Sequence, residues 1–171
     1  MDKRWILIFI ILIAGASTLF LIANESIEIG KAITTIDNVI ITLPDNFKIT
    51  DQDKTSVEMT NRHSEEKICI ELINEKNKAN ELMKNRLQEL KSENVINIKD
   101  TTENISNITV YSIKYQNMTP DTPVNYTISY VDKLNKTFII TQSHYKNDDS
   151  QLNYLTQVID TLRLDFKVKN K

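Results

Sequence analysis

The chain of 171 residues contains no glycine after Gly30, and one other glycine, Gly15, before it. Phosphate-binding loops, dinucleotide-binding fingerprints and nucleophile elbows use glycine, because a residue without Cβ permits their tight turns and close approach to a ligand. The turns of a domain built from residues 31–171 must depend on asparagine, aspartate and proline instead. Two such candidate turns are Pro44-Asp45-Asn46 and Lys133-Leu134-Asn135. Glycine-dependent chemistry is therefore disfavoured, while chemistry assembled from distant side chains stays open.

An uncharged apolar segment, Trp5–Ala23, lies near the start of the chain. As a helix rising 1.5 Å per residue it would be about 28 Å long, close to the roughly 30 Å hydrocarbon core of a bilayer. Lys3 and Arg4 precede the segment and Glu25 follows it, so the positive-inside tendency places residues 1–4 in the cytoplasm. We therefore predict a single-pass anchor in the cell membrane, with the remainder of the chain outside.

A cleaved signal peptide is the alternative interpretation of the same segment. Ala14-Gly15-Ala16 has the small-x-small pattern of a cleavage site. The apolar run continues through Thr18–Ala23, beyond that cut, which favours the anchor. The mass of the mature protein distinguishes the two, and both place the folded domain outside the cytoplasm.

The charge and the cysteine content of the exported part restrict the classes of partner it can bind and the way it can be stabilised. Without Asp2, Lys3 and Arg4, the chain after residue 23 carries 19 basic and 22 acidic side chains, a net charge of −3. This sign, together with the lack of a basic stripe, argues against a nucleic-acid partner. Cys69 is the single cysteine, so no internal disulfide stabilises the domain.

Hydrophobic periodicity predicts an α+β domain. Strands are expected over 38–44, 47–49, 56–60, 67–73, 95–98, 108–116, 125–131 and 136–145. Apolar residues at helical spacing predict amphipathic helices over Asn77–Ser92 and after Asp148–Ser150. Clean alternation in 108–116 and 125–131 predicts antiparallel strands with one packed and one wetter face. The two helices can cover one or both faces of a mostly antiparallel sheet.

These elements divide the chain into five parts. After the cytoplasmic residues 1–4 and the anchor 5–23 comes a short stalk or first element, 24–37. The extracytoplasmic domain is expected over 38–166, with Leu164 and Phe166 in a short closing strand. A basic tail, 167–171, ends the chain.

The order of these elements resembles the PsbP-like fold. The resemblance rests on the opening segment Val39–Thr50, on the helix 77–92 followed by Tyr-rich strands, and on the final helix ending in Thr161–Phe166. It implies an α/β/α sandwich and a non-catalytic accessory or assembly role. Photosynthetic members bind metal ions and a membrane complex through particular residues, but no matching motif occurs here, so no cofactor or metal site is transferred. The N-terminal anchor departs from the soluble pattern of that family.

The histidines and the cysteine are the first candidates for chemistry. His63 and His144 lack zinc-site spacing, which favours surface imidazoles near strand ends. A weak metal site from His63, Glu65, His144 and Asp148 would require the two turns to meet. Cys69 is a candidate nucleophile if a histidine approaches it, but its place between isoleucines favours a buried apolar role.

Asparagine sequons are more frequent than composition predicts. Six occur, where roughly three are expected by chance. Asn24 abuts the predicted anchor, so it is the weakest of the six. The candidate glycan acceptors are Asn104, Asn107, Asn117, Asn125 and Asn135.

The sequence supports three functional hypotheses, of which the third is a mainly structural envelope protein. The first is a membrane-anchored, non-catalytic, extracytoplasmic domain that binds or helps assemble a protein partner. A partner surface formed by the edges of the tyrosines, which all lie between 111 and 154, is one form of it, although core packing of these rings is favoured. The alternative is an exported enzyme, a hydrolase or a metal-dependent one, whose site is assembled from distant loops.

Overall fold

The computed structural model describes residues 33–118, 122–145 and 151–164. Two helices, α1 (Ala79–Leu90) and α2 (Gln151–Thr161), accompany ten strands within this part of the chain. The strands are β1 (Ile33–Ile36), β2 (Val39–Thr42), β3 (Phe47–Gln52), β4 (Ser56–Asn61), β5 (Lys67–Ile73), β6 (Val95–Ile105), β7 (Ile108–Asn117), β8 (Val124–Lys133), β9 (Lys136–His144) and β10 (Arg163–Leu164). The fold is α+β, as predicted.

Seven strands form one antiparallel sheet in the order β3-β4-β5-β9-β8-β7-β6. Strands β6 to β9 therefore form a meander. Its last strand, β9, pairs with β5, the strand that precedes α1 in the sequence. A second, three-stranded sheet has the order β1-β2-β10. Strands β8 and β9 lie in the middle of the large sheet, while β3 and β6 are its two edges.

Each face of the large sheet has its own apolar layer. On the face covered by α1, called the α1 face, Met83 and Leu90 pack with Ile113, Ile128 and Tyr130. On the opposite face, called the α2 face, side chains from α2 and the small sheet join those of the large sheet in one cluster. Members of this second cluster include Ile41, Met59, Ile70, Phe138, Leu155 and Ile159. The sheet is thus the middle layer between two apolar layers.

Three hairpins turn without glycine. Their two-residue loops are Asp37-Asn38, Ser106-Asn107 and Leu134-Asn135, and all six residues have positive φ. Type I′ turns require positive φ at both central residues, because their twist matches that of the flanking strands. Asparagine tolerates this conformation better than most residues. The expectation that asparagine and aspartate replace glycine in the turns is confirmed.

A side chain of the sheet caps the N-terminal end of α1. The Asp132 carboxylate in β8 accepts hydrogen bonds from the backbone N–H groups of Lys78 and Ala79, at 3.2 and 3.3 Å. Thr137 also donates its hydroxyl to Asp132. The first amides of a helix have no partner within the helix, so a carboxylate from the sheet supplies one and anchors α1 on the α1 face.

Strand boundaries differ from the sequence expectations at three places. Strand β6 continues beyond the expected 95–98 to Ile105, and β3 extends beyond the expected 47–49 to Gln52. Strand β1 lies inside the range 24–37 assigned to a stalk or first element. Backbone pairing with a neighbouring strand sustains these segments although their side chains lack apolar alternation.

Several expectations concern residues outside the described ranges. They are the anchor 5–23, the sequon at Asn24, the start of the final helix at 148–150, Phe166 in the closing strand and the tail 167–171. Within the described ranges, neither helix has the length and apolar character needed to cross a membrane.

Candidate functional site

A buried polar patch lies on the α2 face of the large sheet. Strand register places Ser112, Ser129 and Thr127 on this face together with Gln142 and His144. All five are buried, and Ser129 is 0% exposed. The expectation of a wetter face for β7 and β8 is therefore wrong, because the central position of β8 gives it neighbours on both edges and cover on both faces.

The hydroxyl groups within this patch pair across strands. Ser112 and Ser129 lie directly opposite each other, with their Oγ atoms 2.9 Å apart. A buried hydroxyl without a partner would cost roughly 1–3 kcal/mol, so this bond is part of what permits two serines in the interior. The patch contains no carboxylate, and its described chemistry is hydrogen bonding.

The structure separates Cys69, the candidate nucleophile, from His144. Cys69 pairs with Thr141 on the α1 face, whereas His144 belongs to the α2 face. Partial burial of Cys69, reinforced by the negative charges of Glu71 and Glu58, raises the pKa of its thiol to about 11. A thiol in this state is protonated at neutral pH and is a poor nucleophile.

The two histidines also lie in different surroundings. His63 is exposed in the β4–β5 turn, where its backbone N–H donates to the side-chain oxygen of Asn61 at 2.9 Å. His144 is 7% exposed, so its expected surface position is wrong. Asp148, the fourth member of the hypothetical metal site, lies outside the described residues. Among those that are described, no group of three or more His, Cys, Asp or Glu side chains is arranged to hold a metal ion.

The tyrosines of β7 and β8 belong to the core, as favoured from the sequence. Tyr115 and Tyr126 stack with ring centroids 5.2 Å apart, and both join the cluster under α1. Tyr130 is 3% exposed, and its burial raises the pKa of its phenol to about 12. These rings present little surface to a partner.

A shallow cavity of about 550 Å³ lies beside the β1–β2 turn. Asp37 and Asp53 line it, but both carboxylates already have partners in the fold. Asp37 pairs with Lys136 at 2.5 Å, and Asp53 accepts bonds from the amides of Thr55 and Ser56 at 2.6 and 2.7 Å. The cavity carries no assembled chemistry.

The five candidate glycan acceptors fall into two groups by exposure. Asn104, Asn107 and Asn135 are exposed at the end of β6 and in two hairpin turns. Asn117 and Asn125 are half-buried in the sheet, where Asn125 pairs with His144. Glycosylation at these positions stays a prediction, with the exposed group the more accessible to a glycan.

Strand β6 is the largest exposed element of the sheet. Eight of its eleven residues are exposed and the other three are half-buried. It is an edge, and no described strand lies on its outer side. Ile96 and Ile98 are 44% and 36% exposed. The register with β7 shifts between Ile96 and Lys99, where Asn97 has φ 59°.

The β6–β7 turn determines which backbone groups of β6 point outward. In a two-residue hairpin the closing pair, here Ile105 and Ile108, exchanges two hydrogen bonds, and such pairs alternate along an antiparallel ladder. Residues 99, 101, 103 and 105 therefore bond to β7. The N–H and C=O groups of Asp100, Thr102 and Asn104 point outward, available to another strand.

One side chain of β6 has an unmet hydrogen-bonding need. Thr101 lies opposite Ser112, and its hydroxyl oxygen is buried. Among the side-chain atoms of the described residues, this oxygen is the buried one that lacks a hydrogen-bond partner. Buried polar atoms are nearly always paired, so the unpaired Thr101 oxygen is an exception in the middle of β6.

Sequence reasoning missed β6 as a surface. The segment 100–106 contains charged and polar residues without alternation, and the sequence therefore predicts no strand there. One signal was available: Ile105-Ser106-Asn107-Ile108 is a short polar pair between β-branched residues, a pattern consistent with a two-residue hairpin.

No protein-family model and no curated protein matches the chain. Among solved structures, it is similar to a crystal structure from Bacteroides thetaiotaomicron, with a TM-score of 0.57 and 13% identity. The similarity covers 78% of this chain and 47% of that one, so the chain spans about half the length of that structure.

Two further solved structures are similar at lower scores. PA94 from Pseudomonas aeruginosa, a protein of unknown function described as a putative regulator, has a TM-score of 0.49 and 12% identity over 74% of this chain and 93% of that one. Cyanobacterial PsbP (CyanoP) from Synechocystis has a TM-score of 0.48 and 11% identity over 75% and 87%. Such similarities concern the fold alone. An α+β domain with a mostly antiparallel sheet and two helices, the coarser content of the predicted resemblance, is confirmed.

Proposed function

We propose that this chain is a non-catalytic extracytoplasmic domain, held at the membrane by Trp5–Ala23, that binds or assembles a protein partner through the outer edge of β6. The observation that carries the proposal is the exposure of this eleven-residue edge strand. Natural sheets keep their edges short or covered, because outward N–H and C=O groups attract another strand. A long exposed edge is therefore suited to strand addition.

Strand addition would use groups that the fold leaves available. Asp100, Thr102 and Asn104 offer outward N–H and C=O groups to a partner strand, and each hydrogen bond formed contributes on the order of 1 kcal/mol net. The neighbouring Ile96 and Ile98 side chains add exposed apolar surface. The finer assignment to a PsbP-like fold, with its accessory or assembly role, rests on the sequence resemblance and agrees with such a surface.

Site-specific photocrosslinking in native membranes tests the proposal. In the full chain with Cys69→Ser, a benzophenone is attached through Thr102→Cys on β6, or through Lys48→Cys on the other edge strand as a matched control. Both native side chains are exposed. We expect one discrete protein adduct from position 102 and none from position 48.

A second variant connects the adduct to the backbone of β6. Adding Asn104→Pro removes an outward N–H group while sparing the bonds to β7, so the yield of the adduct from position 102 should fall several-fold. Equal adducts from both edges, or no adduct from position 102, would overturn the proposal.

A further inference from the structure

We infer that the strand added to β6 is β6 of a second copy of this chain, in an antiparallel pair whose twofold axis passes through Thr101. The inference rests on the proposed function, since it names the partner of the same edge. It follows from three features of β6: the alternation of its outward groups, the order of its charges and the unpaired Thr101 hydroxyl.

The outward groups restrict the possible registers. In an antiparallel pair, residues that point outward must lie opposite residues that also point outward, so a twofold axis must pass through one residue. An axis through Thr101 places Asp100 opposite Thr102 of the other copy, and both point outward. These two symmetry-related pairs exchange four backbone hydrogen bonds across the axis.

The charges of β6 select this register among its neighbours. An axis through Thr101 places Lys99 opposite Glu103 of the other copy, and it does so twice. An axis through Asp100 would set two aspartates against each other, and an axis through Thr102 would set Lys99 against Ile105. Opposite charges across strands stabilise a pair, whereas like charges destabilise it.

A carboxylate beside Lys99 would also be favourable within the fold of the single chain. Within the chain, Lys99 lies directly opposite Lys114 of β7, on the α2 face. This pair of like charges is unfavourable in an antiparallel ladder. Glu103 of the second copy would lie on the other side of Lys99, on the same face, and would offset the repulsion. The self-paired edge thus resolves a conflict that the single chain retains.

Thr101 occupies the centre of the proposed pair. Because its backbone bonds to β7, it would face its twofold mate in a non-hydrogen-bonded pair, where side chains approach most closely. Cross-strand threonine pairs form hydroxyl hydrogen bonds in such positions. The Thr101 hydroxyl oxygen is buried within its own chain and has no partner among the described residues. Rotation about χ1 would turn it outward, where the hydroxyl of its twofold mate would supply one.

Charge reversal tests the register. The full chain in detergent micelles is examined by sedimentation equilibrium, with Lys99→Glu, Glu103→Lys and the double reversal. Each single reversal should weaken self-association roughly tenfold or more, equivalent to about 1.4 kcal/mol. The double reversal should restore it to near the original value, and Lys48→Glu on β3 should leave it unchanged. If none of these substitutions changes the strength of self-association, the proposed register is overturned.

Disulfide formation tests the axis directly. In the Cys69→Ser background, Thr101→Cys places two thiols across the axis at a separation that a disulfide can bridge, and a covalent dimer should form on mild oxidation. Thr102→Cys should form far less disulfide-linked dimer, because position 102 of one copy lies opposite position 100, and not position 102, of the other copy. A chain that stays monomeric and forms no disulfide overturns self-pairing. In that case a photocrosslink from position 102 to another protein would leave the proposed function standing, and its absence would remove both.

Discussion

Strands β6 and β8 lie two places apart in one sheet and have similar contents of threonine, serine and asparagine, yet their surroundings are opposite. Strand β8 buries Thr127, Ser129 and Tyr130, whereas most of β6 is exposed on both faces. Neighbours explain the difference: β8 is paired on both edges and covered on both faces, while β6 has one neighbour. Position in the sheet, more than side-chain polarity, therefore decides which strand is core and which is surface.

Thiol reactivity gives the largest expected contrast between interior and edge. At pH 8, a thiol with an ordinary pKa near 8.5 is partly ionised, whereas Cys69, with a pKa raised to about 11 by burial and by Glu71 and Glu58, is almost wholly protonated. Alkylation of Cys69 by iodoacetamide should therefore be on the order of 100-fold slower than that of a thiol placed by Thr102→Cys in a Cys69→Ser chain.

The pH profile separates ionisation from access. The alkylation rate of Cys69 should keep rising to about pH 11, because its thiolate form appears only near its pKa. The rate at position 102 should level off around pH 9. Profiles that level off together, measured by mass spectrometry of the intact chain, would show that the pKa of Cys69 is not raised.

The buried serine pair gives a contrast of intermediate size. Removing one hydroxyl with Ser129→Ala leaves Ser112 without its 2.9 Å partner, so we expect a loss of about 1–2 kcal/mol in the free energy of unfolding. The double variant Ser112→Ala with Ser129→Ala should lose less than the two single losses together, because no orphan hydroxyl remains.

The matched control for this cycle is Thr102→Ala, at an exposed position of β6. Its effect on stability should stay within about 0.5 kcal/mol. Denaturant unfolding of the full chain measures all four variants. If the Ser112 and Ser129 losses add without any coupling, the hydroxyl bond does not stabilise the interior of the sheet.

How much could be predicted from the sequence depended on the neighbours of each element. Strand β5 has the predicted bounds and the helix expected over 77–92 lies at 79–90, because periodic apolar residues report directly on burial. The buried polar patch could not be predicted, since Thr127 and Ser129 read as a wetter face until β7 and β9 are placed beside them. The part of β6 beyond the strand expected over 95–98 was missed for the converse reason: its pairing with β7 fixes it, and its exposed side chains carry no period.

Glycine placed at two of the meander turns should produce opposite effects, which sharpens the contrast between edge and interior. Ser106 in the β6–β7 turn has φ 50° and is exposed. A left-handed conformation costs a non-glycine residue roughly 1–2 kcal/mol, and the added freedom of glycine in the unfolded chain offsets roughly 0.5–1 of this. Ser106→Gly should therefore stabilise the chain by about 0.5 kcal/mol. Leu134 in the β8–β9 turn has φ 57° but packs against the core on the α2 face, so Leu134→Gly should lose stability through lost packing.

The measurement is denaturant unfolding of chain made in a host that does not glycosylate, because Ser106 completes the sequon at Asn104. Thr109→Gly, at an exposed strand position of the same hairpin, is the control and should cost about 0.5–1 kcal/mol. A loss of stability for Ser106→Gly comparable to that of Thr109→Gly would mean that the left-handed turn imposes no strain on serine. A gain at Ser106 with a loss at Leu134 would show that the two turns keep a non-glycine residue at positive φ for different reasons. At Ser106 the left-handed backbone is strained and lowers stability. At Leu134 the packing of the side chain against the core outweighs that strain.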